Sequence, residues 1–515
     1  MPRQIPDKQM SRLSQFVTRW LGLHFPRKRW RDLERIIVHA APELGLRDAD
    51  MCVERLLSGL FSKDQEDILA GRLTIGETYF FREQKSFEAL ENHILPELIA
   101  SRRGRDQRLR IWSAGCSSGE EPYSLAILLS RLIPDLRDWN VTILATDINS
   151  RALAKAQQGL YAQWSFRGVP EWICQRYFTR TPEGRFELPY GIRTLVTFAV
   201  LNLAEDTYPA LSTNTNAMDI ILCRNVLMYF EQQQQQRVIQ GFQRSLLESG
   251  WLVVSPCETS PDLSARFETV MFPGAVFYRK TGHGAKPQGI VPAIPDAAAW
   301  AGHPDLSRQI VPPPPEPAPP AAAERPVVEE AVHAPPAPPA TSPYEEALAL
   351  YRRGSYGDVA DTLSVLLDKG ENSGGAGQLF GKAAALMARS LANQGEIASA
   401  LQWSDKAIAV DKLNAELYYL RATIFQEQGD APLAIASLKQ ALYLDQGFVL
   451  AHFALGTLTL RLGKPEAGRH FENALELLDG CQDDDPVPGS DGMTAGRLSQ
   501  VIRGTRESLN LKAAR

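Results

Sequence analysis

The chain has 515 residues, a formal net charge of −5 and a pI of about 6.0. This length predicts roughly two to four domains, and the acidic balance argues against a global polycation that binds nucleic acid. The apolar runs are shorter than a membrane span and the first residues lack a secretory hydrophobic region, so no membrane insertion is predicted. The six cysteines form no CxxC pair, which indicates neither a metal site nor a disulfide framework and favours a reducing cytoplasm.

Residues 1–75 are predicted to form a helical domain. Apolar side chains recur there at helical spacing in three stretches, around Leu13, Ile36 and Val53. The stretch from Arg27 to Arg31 is locally basic. It is either a solvated helix face or a docking face for an acidic helix, and the residues alone favour the solvated face.

The central signal is a strand, a glycine-rich turn and a helix within Arg110 to Ile127. The strand leads into the turn Gly115 to Gly119, and the helix starts at once with Glu120, Glu121 and Pro122. This unit is typical of the nucleotide-binding crevice of an open α/β sheet, but its spacing is not the dinucleotide pattern GxGxxG. Two carboxylates would repel a pyrophosphate and favour a ligand with a positive centre. An ordinary acidic helix start is the alternative.

Residues 76–281 continue the α/β pattern. The second apolar strand ends in Asp147, where an acid can accept both hydroxyl groups of a ribose. A role in a helix N-cap is an equal alternative for this residue. A later buried strand, Met218 to Cys223, is followed by Arg224 and Asn225 at the edge where open α/β sheets hold their ligand.

Short alternating runs predict a small antiparallel sheet inserted at 162–200. The runs are Arg176 to Thr179, Arg185 to Leu188 and Val196 to Ala199. This insert is either decoration or a lobe that binds a partner. A final hairpin is predicted from Phe267 to Lys280.

The C-terminal half changes character at 282–342, a proline- and alanine-rich segment typical of a semi-stiff linker. Residues 343–480 repeat: Gly395, Gly429 and Gly463 follow one another at intervals of 34 residues. This period is that of tetratricopeptide repeats, whose solenoids usually bind peptides on a concave face. Gly354 belongs to a degenerate earlier copy. An acidic break and a last helix are predicted at 481–515.

Five segments, taken in order, resemble one family, the S-adenosylmethionine-dependent chemotaxis receptor methyltransferases of the CheR type. The resemblance covers about residues 10–281 and rests on GETYFFRE, RIWSAGCSSGEEPYSLAI, ATDINSRALAKAQQGLY, LNL and DIILCRNVLMYF. Tetratricopeptide repeats behind a proline-rich linker look like a longer architecture of this family, in which the receptor pathway often controls something other than swimming. The implied fold is a helical N-terminal domain, an α/β class I methyltransferase domain with a small β subdomain, and an α-solenoid.

The resemblance also implies S-adenosyl-L-methionine as the cofactor and gives roles to single residues. Arg82 would hold the methionine carboxylate near the transfer site, with Thr78 beside it, and Tyr229 would reach toward the methyl group. Some members of the family carry Asn where this chain has Gly76. The catalytic residues implied are Arg82 and Tyr229. The cofactor-binding residues implied are Gly76, Thr78, Arg82, Gly115, Glu121, Asp147, Asn202, Leu203, Arg224 and Asn225.

Within that set, Glu121 would face the cofactor and Asp147 would take the ribose hydroxyls. Asn202 and Leu203 would frame the adenine. Arg224 and its neighbour Asn225 would border the methionine end.

The implied reaction is methylation of glutamate side chains in a methyl-accepting receptor, in the cytoplasm and in association with receptors at the inner membrane. The implied partners are the receptor's acidic cytoplasmic helices, and other signalling proteins through the repeats; this raises the weight of the docking interpretation for Arg27 to Arg31. In some relatives the β insert binds a peptide at the receptor's C-terminus. The alternatives are a methyltransferase acting on RNA or a small molecule, and a non-catalytic adaptor with a vestigial methyltransferase domain.

Overall fold

The computed structural model describes residues 5–74, 76–204, 208–281, 342–371, 377–490 and 493–513. The linker predicted at 282–342 lies outside these residues, except for Ser342. Within the described ranges, no helix combines the length and the apolar character needed to cross a bilayer.

The N-terminal helices form a domain with a core of its own. Their bounds are α1 Asp7–Leu21, α2 Trp30–Ala40, α3 Ala49–Leu57 and α4 Lys63–Leu73. The predicted apolar stripes face inward, so that Leu13, Leu33 and Val53 are fully buried. Side-chain caps fix two of the helix starts, Asp48 before α3 and Ser62 before α4. The predicted helical N-terminal domain is confirmed.

The strands form one large and one small sheet. Their bounds are β1 Arg108–Ala114, β2 Asn140–Asp147, β3 Leu160–Tyr161, β4 Thr179–Arg180, β5 Phe186–Glu187, β6 Val196–Val200, β7 Met218–Leu222, β8 Leu246–Val253, β9 Glu268–Phe272 and β10 Ala275–Arg279. Among the described residues the large sheet has seven strands in the order β6-β2-β1-β7-β8-β10-β9. The first five are parallel, and β10 is antiparallel to both of its neighbours. The chain order reverses between β1 and β7, which places a crevice at their carboxyl ends.

Helices cover both faces of this sheet. They are α5 Gln84–Ala89, α6 Leu95–Arg102, α7 Glu120–Leu132, α8 Ser150–Gln158, α9 Glu171–Tyr177, α10 Tyr190–Arg193, α11 Gln232–Ser245 and α12 Pro261–Arg266. Successive residues of a strand point to opposite faces. Ile111 of β1 therefore packs into one core together with Leu125 of α7, whereas Trp112 packs into the other against Tyr208 and Phe242.

The small sheet has the order β3-β5-β4 and is antiparallel, as predicted. Of the predicted run Arg176 to Thr179, however, only Thr179 lies in β4, because Arg176 and Tyr177 belong to the end of helix α9. The assignment of Val196 to Ala199 to this sheet is wrong, because that run is β6, which pairs in parallel with β2 at the edge of the large sheet. A short apolar run does not reveal whether its partner is a hairpin neighbour or a distant parallel strand. The predicted insert, residues 162–200, thus includes one strand of the large sheet.

The repeat region consists of helical hairpins in succession. Its helices are α13 Pro343–Arg353, α14 Tyr356–Glu371, α15 Gly377–Asn393, α16 Ile397–Val410, α17 Ala415–Gln428, α18 Ala431–Leu444, α19 Val449–Arg461, α20 Ala467–Leu478 and α21 Ala495–Ala513. The turns at Gly354, Gly395, Gly429 and Gly463 all have positive φ angles, which favours glycine. Close packing explains the small residues: a Cβ atom on Gly456 would lie 2.7 Å from the ring of Phe471. The predicted solenoid, including its early copy, is confirmed.

Candidate active site

The predicted site residues lie around one cleft at the carboxyl ends of the parallel strands. The cleft is open to solvent, and the space in and at the entrance of the cleft amounts to about 1170 Å³. All eleven residues predicted from the sequence line it: Gly76, Thr78, Arg82, Gly115, Glu121, Asp147, Asn202, Leu203, Arg224, Asn225 and Tyr229. Segments far apart in the chain are therefore brought together at the edge where the sheet reverses its order.

The glycine-rich turn after β1 forms the floor of the cleft. The backbone N–H groups of Gly115 and Cys116 donate to the carbonyl oxygen of Thr146, over 2.7 and 2.9 Å. Gly115 has φ +84°, and a Cβ atom there would lie only 2.4 Å from the side chain of Val226. Packing against a neighbouring loop thus requires this glycine. Burial also raises the pKa of the Cys116 thiol well above its ordinary value, so this thiol is protonated at neutral pH.

The two glutamates that start α7 face different ways. Glu120 is only 2% exposed and accepts a hydrogen bond from the hydroxyl of Ser165 at 3.0 Å, on the side of the inserted subdomain. Glu121 lines the cleft, where it accepts from the Ser113 hydroxyl at 2.7 Å and pairs with Arg224 at 3.0 Å. Only one of the two acids at the turn therefore contributes charge to the ligand side, which corrects the expectation that both do.

Asp147 ends β2 and is held by the backbone. Its two carboxylate oxygens accept from the N–H groups of Ser117 and Asn149, each over 2.8 Å. Burial raises the pKa of this carboxyl above its ordinary value, although the N–H groups oppose the rise. The N-cap of α8 is Asn149, whose side chain accepts from Ala152 N–H at 3.1 Å. The N-cap alternative for Asp147 is thereby removed.

Arg82 lies on a strained loop at the mouth of the cleft. Its neighbours Phe81 and Glu83 have φ angles of +54° and +57°, in a region that residues other than glycine rarely occupy. The buried ring of Phe80 anchors the loop in the core. The Arg82 guanidinium donates to the backbone carbonyl of Glu77 at 2.7 Å, and no carboxylate of the described residues forms an ion pair with it.

Arg224 connects three parts of the site. Its side chain is only 2% exposed and pairs with Glu83 and Glu121, each over 3.0 Å. It also donates to the backbone carbonyl of Arg82. Two carboxylates therefore neutralise the Arg224 guanidinium, whereas Arg82 has no carboxylate partner among the described residues.

Glu258 is a residue of the site region to which the sequence analysis gives no role. One of its oxygens accepts from the N–H groups of Val226 and Met228, and the other from Asn225 and Ser255, over 2.7 to 3.2 Å. Burial raises the pKa of this carboxyl although the same four N–H groups oppose the rise. The loop that carries Tyr229 is thus tied to one carboxylate. The S-x-x-E spacing of a capping box, formed here with Ser255, is the sequence signal that could have found it.

The N-terminal domain closes one side of the cleft, which the sequence did not predict. The N–H of His24 donates to the carbonyl of Tyr229 at 2.7 Å, and the side chain of Asn202 donates to the carbonyl of Trp20 at 2.9 Å. Arg29, within the basic stretch, also lines the cleft. Two predicted site residues therefore hold the helical domain in place.

Comparison with known proteins identifies the family. The profile of the family described as "CheR methyltransferase, SAM binding domain" matches residues 76–275. Chemotaxis protein methyltransferase 2 of Vibrio cholerae is 33% identical over 223 residues, which are 43% of this chain and 76% of that protein. The chain belongs to the chemotaxis protein methyltransferase family. As a member of this family it is an S-adenosylmethionine-dependent methyltransferase of chemotaxis-type signalling.

Two other relatives show how far the similarity to this methyltransferase extends. The Escherichia coli chemotaxis protein methyltransferase is 31% identical and matches 51% of this chain and 88% of its own length. The "probable biofilm formation methyltransferase WspC" of Pseudomonas aeruginosa is 29% identical over 419 residues, 78% of this chain and 87% of that protein. A match of that length reaches beyond the catalytic region into the repeats.

The residues of the cleft fit the cofactor of this methyltransferase family. Asp147 presents a carboxylate whose oxygens each keep a lone pair beyond the bond from the backbone, which suits the two hydroxyls of a ribose. Glu121 places an anionic group on the same side, which suits a ligand with a positive sulfur. The apolar side chains of Leu203 and Phe230 supply surface for a flat base.

Proposed function

We propose that this methyltransferase acts on glutamate side chains in a methyl-accepting chemotaxis-type receptor. The products would be glutamate methyl esters and S-adenosylhomocysteine. The observation that carries the proposal is the guanidinium of Arg82, which lines the cleft and donates only to a backbone carbonyl among its described contacts. An arginine without a carboxylate partner can bind the carboxylates that the proposed reaction brings into the cleft, namely that of the cofactor's methionine and that of the acceptor glutamate.

The proposed roles follow from where the residues lie. Asp147 would hold the ribose hydroxyls, Glu121 would face the positive end of the cofactor, and Asn202 with Leu203 would frame the adenine. Arg82, with Thr78 beside it, would hold the methionine carboxylate close to the transfer site. When bound, S-adenosylmethionine supplies a methyl group that its positive sulfur activates.

The residues of the chain itself would contribute by orienting the two reactants and by limiting the access of water to the cleft. A glutamate carboxyl has a reference pKa of about 4.3, so at neutral pH the acceptor is already ionised and needs no general base. Arg82 and Tyr229 would align the acceptor carboxylate, and the N-terminal domain, which covers one side of the cleft, would limit the access of water. Opposite charges are neutralised in the transfer, so a drier cleft favours it.

Replacing Arg82 tests this assignment. We expect Arg82→Ala to lower receptor methylation by about 100-fold or more, because removing a group that orients and neutralises the reacting carboxylates costs several kcal/mol of transition-state stabilisation. Transfer of labelled methyl groups to the receptors in a lysate measures the effect. Arg137→Ala, on the exposed turn before β2, is the control. Full methylation by Arg82→Ala would remove the carboxylate-positioning role.

The basic stretch is the proposed docking face for the receptor. Lys28 and Arg31 are exposed, and Arg29 beside them lines the cleft. Acidic receptor helices carry the opposite charge, and such surfaces steer encounters at a distance.

Charge reversal of this face separates docking from chemistry. We expect the double change Lys28→Glu with Arg31→Glu to raise KM for the receptor about tenfold, less at high salt, while cofactor affinity stays the same. Steady-state methylation at two salt concentrations measures it. Arg105→Glu with Arg137→Glu reverses the same charge near the opposite edge of the sheet and should leave KM unchanged. Equal KM values for the two double variants would place receptor docking elsewhere.

The output of the pathway is proposed from the relative that extends into the repeats. That protein is named for biofilm formation. We therefore propose that the receptor of this chain serves an output of that kind, with the repeats in contact with signalling proteins.

A further inference from the structure

The repeat array packs on the edge of the large sheet opposite to the cleft. A Cβ atom on Gly354 would lie 2.4 Å from Arg244 of α11, one on Gly395 would lie 3.2 Å from Leu247, and one on Gly429 would lie 3.2 Å from the side chain of Asn140. These glycines are the turns of three successive hairpins. Each has a positive φ angle that favours glycine, and each lies against the surface of the methyltransferase domain with little room for a side chain. The repeat period therefore also spaces contact points on the methyltransferase domain.

A buried carboxylate lies at the centre of this interface. Glu427 of α17 is 5% exposed, and its Oε1 accepts from the Asn216 side chain at 2.6 Å. Its backbone carbonyl accepts from the Asn140 side chain at 2.7 Å, and its Oε2 lies 3.9 Å from Nη1 of Arg108. Arg108 and Asn140 are the first residues of β1 and β2. The Glu427 carboxylate thus meets one cation and one amide, and its backbone carbonyl meets a second amide, near the amino ends of the strands.

Arg110 adds a second buried cation behind this contact. Burial lowers its pKa to about 10, and the charge of Glu427 opposes that change. Its guanidinium donates to the backbone carbonyls of Asn216 and Asn214, over 3.2 and 3.0 Å. These bonds fix the loop before β7, so the same arginine supports the amide that binds Glu427.

That loop itself reaches into the array. Leu211 packs against a buried cluster that includes Ala392 and Leu420 of the repeats. The hydroxyl of Ser212 donates to the carbonyl of Ser490, over 3.4 Å. Apolar and polar contacts therefore extend the interface beyond Glu427.

The last helix connects the docked array to the domain that closes the cleft. Helix α21 packs beside β6 and α8. The side chain of Gln500 donates to one oxygen of Asp67 in α4 at 2.9 Å, and the hydroxyl of Ser150 donates to the other at 3.3 Å. Leu73 at the end of α4 lines the cleft, as does Thr74. A continuous chain of contacts thus runs from the repeats to the cofactor site.

We propose that the repeat array is an integral arm of the enzyme, docked on the amino edge of the sheet through Glu427, and that its docking sets cofactor affinity by holding the N-terminal domain over the cleft. A signalling protein that displaces the array would then lower methylation from outside the catalytic site. This inference rests on the cofactor cleft described above, and it adds control of that cleft by the repeats.

Charge reversal on either side of the interface tests the proposal in the full-length chain. Glu427→Lys would place a third cation beside Arg108 and Arg110, and Arg108→Glu would place a second acid beside Glu427. We expect each change to weaken binding of S-adenosylmethionine about tenfold, within the usual range of coupling between sites, and to speed amide hydrogen exchange in α4. Titration calorimetry measures the affinity, and the Glu427→Lys/Arg108→Glu combination should recover most of it.

The control is Glu416→Lys, which makes the same charge change on an exposed position of the same helix and should bind cofactor like the wild type. Wild-type affinity and exchange in both single variants would overturn the proposal. So would an effect of Glu427→Lys without one of Arg108→Glu, since that indicates damage to the array alone, or a combined variant no better than the singles. For each variant, cofactor affinity and amide exchange are compared with those of the wild type. A wild type that binds cofactor but methylates no receptor would instead refute the proposed substrate.

Discussion

Asp147→Asn is expected to weaken binding of S-adenosylmethionine by about 100-fold. A hydrogen bond to a charged group contributes about 1.5–3 kcal/mol, and the amide keeps only one acceptor for two ribose hydroxyls. A loss of about 3 kcal/mol corresponds to about two powers of ten in affinity. Titration calorimetry measures it, and Asp138→Asn, exposed at the amino edge of the sheet, should bind like the wild type. An unchanged affinity in Asp147→Asn would remove this residue from the cofactor site.

The same residue predicts how binding depends on pH. Burial raises the pKa of the Asp147 carboxyl, so protonation begins at a higher pH than for an ordinary aspartate. A protonated carboxyl loses acceptor capacity, and affinity should therefore fall as the solution is acidified toward that raised pKa. The asparagine variant has no such group and should show a flatter profile. Parallel profiles for the two proteins would contradict the assignment.

Glu258→Ala is expected to lower the free energy of unfolding by about 3–5 kcal/mol and to lower methyl transfer at least 100-fold. The change leaves four backbone N–H groups buried without their acceptor, and each unsatisfied group costs about 1–3 kcal/mol unless water or local movement relieves it. The loop that carries Asn225 and Tyr229 loses its anchor at the same time. Urea unfolding and labelled methyl transfer measure the two effects.

A matched change separates this role from a general loss of charge. Glu248 pairs with Lys280 at the surface, with half of its side chain exposed, so Glu248→Ala should cost less than about 1 kcal/mol. Glu258→Gln keeps one carbonyl acceptor and should fall between wild type and Glu258→Ala in both measurements. A stable and active Glu258→Ala protein would show that the loop is held by other contacts.

The sequence predicts the parts of the site that strand order and local chemistry determine. Gly115, Asp147 and Asn225 all lie at or just beyond the carboxyl ends of parallel strands, and these ends meet at one edge of the sheet. The repeats are equally readable, because a fixed period of glycines marks each hairpin turn. In both cases a pattern of residue types along the chain is sufficient to predict the feature.

The missed features depend on contacts between distant segments. Glu258 acts through backbone groups about thirty residues earlier in the chain, and the N-terminal domain reaches the cleft through His24 and Tyr229. Val196 to Ala199 could not be assigned to the large sheet without knowing its partner strand. The pairing of Glu427 with Arg108 joins two residues that are more than 300 positions apart in the chain. Such partners become visible only when the chain is folded.

The charges of the site illustrate the same limit. The sequence places Arg82 and Arg224 at the same end of the ligand but does not show which of them has an acidic partner. In the structure Arg224 is neutralised by Glu83 and Glu121, whereas Arg82 faces the cleft without a carboxylate among the described residues. Ion pairing, which the sequence does not reveal, therefore determines which of the two arginines is left without a carboxylate partner.

The most direct test of the central claim is the chemistry of the transferred label. The full-length protein is incubated with methyl-labelled S-adenosylmethionine and the cytoplasmic part of a methyl-accepting receptor from the same cell. We predict that the receptor becomes labelled, that mild base releases the label as methanol, and that mass spectrometry locates it on glutamate side chains. A base-stable label, or an unlabelled receptor under conditions where the protein binds cofactor, would contradict carboxylate methylation of the receptor.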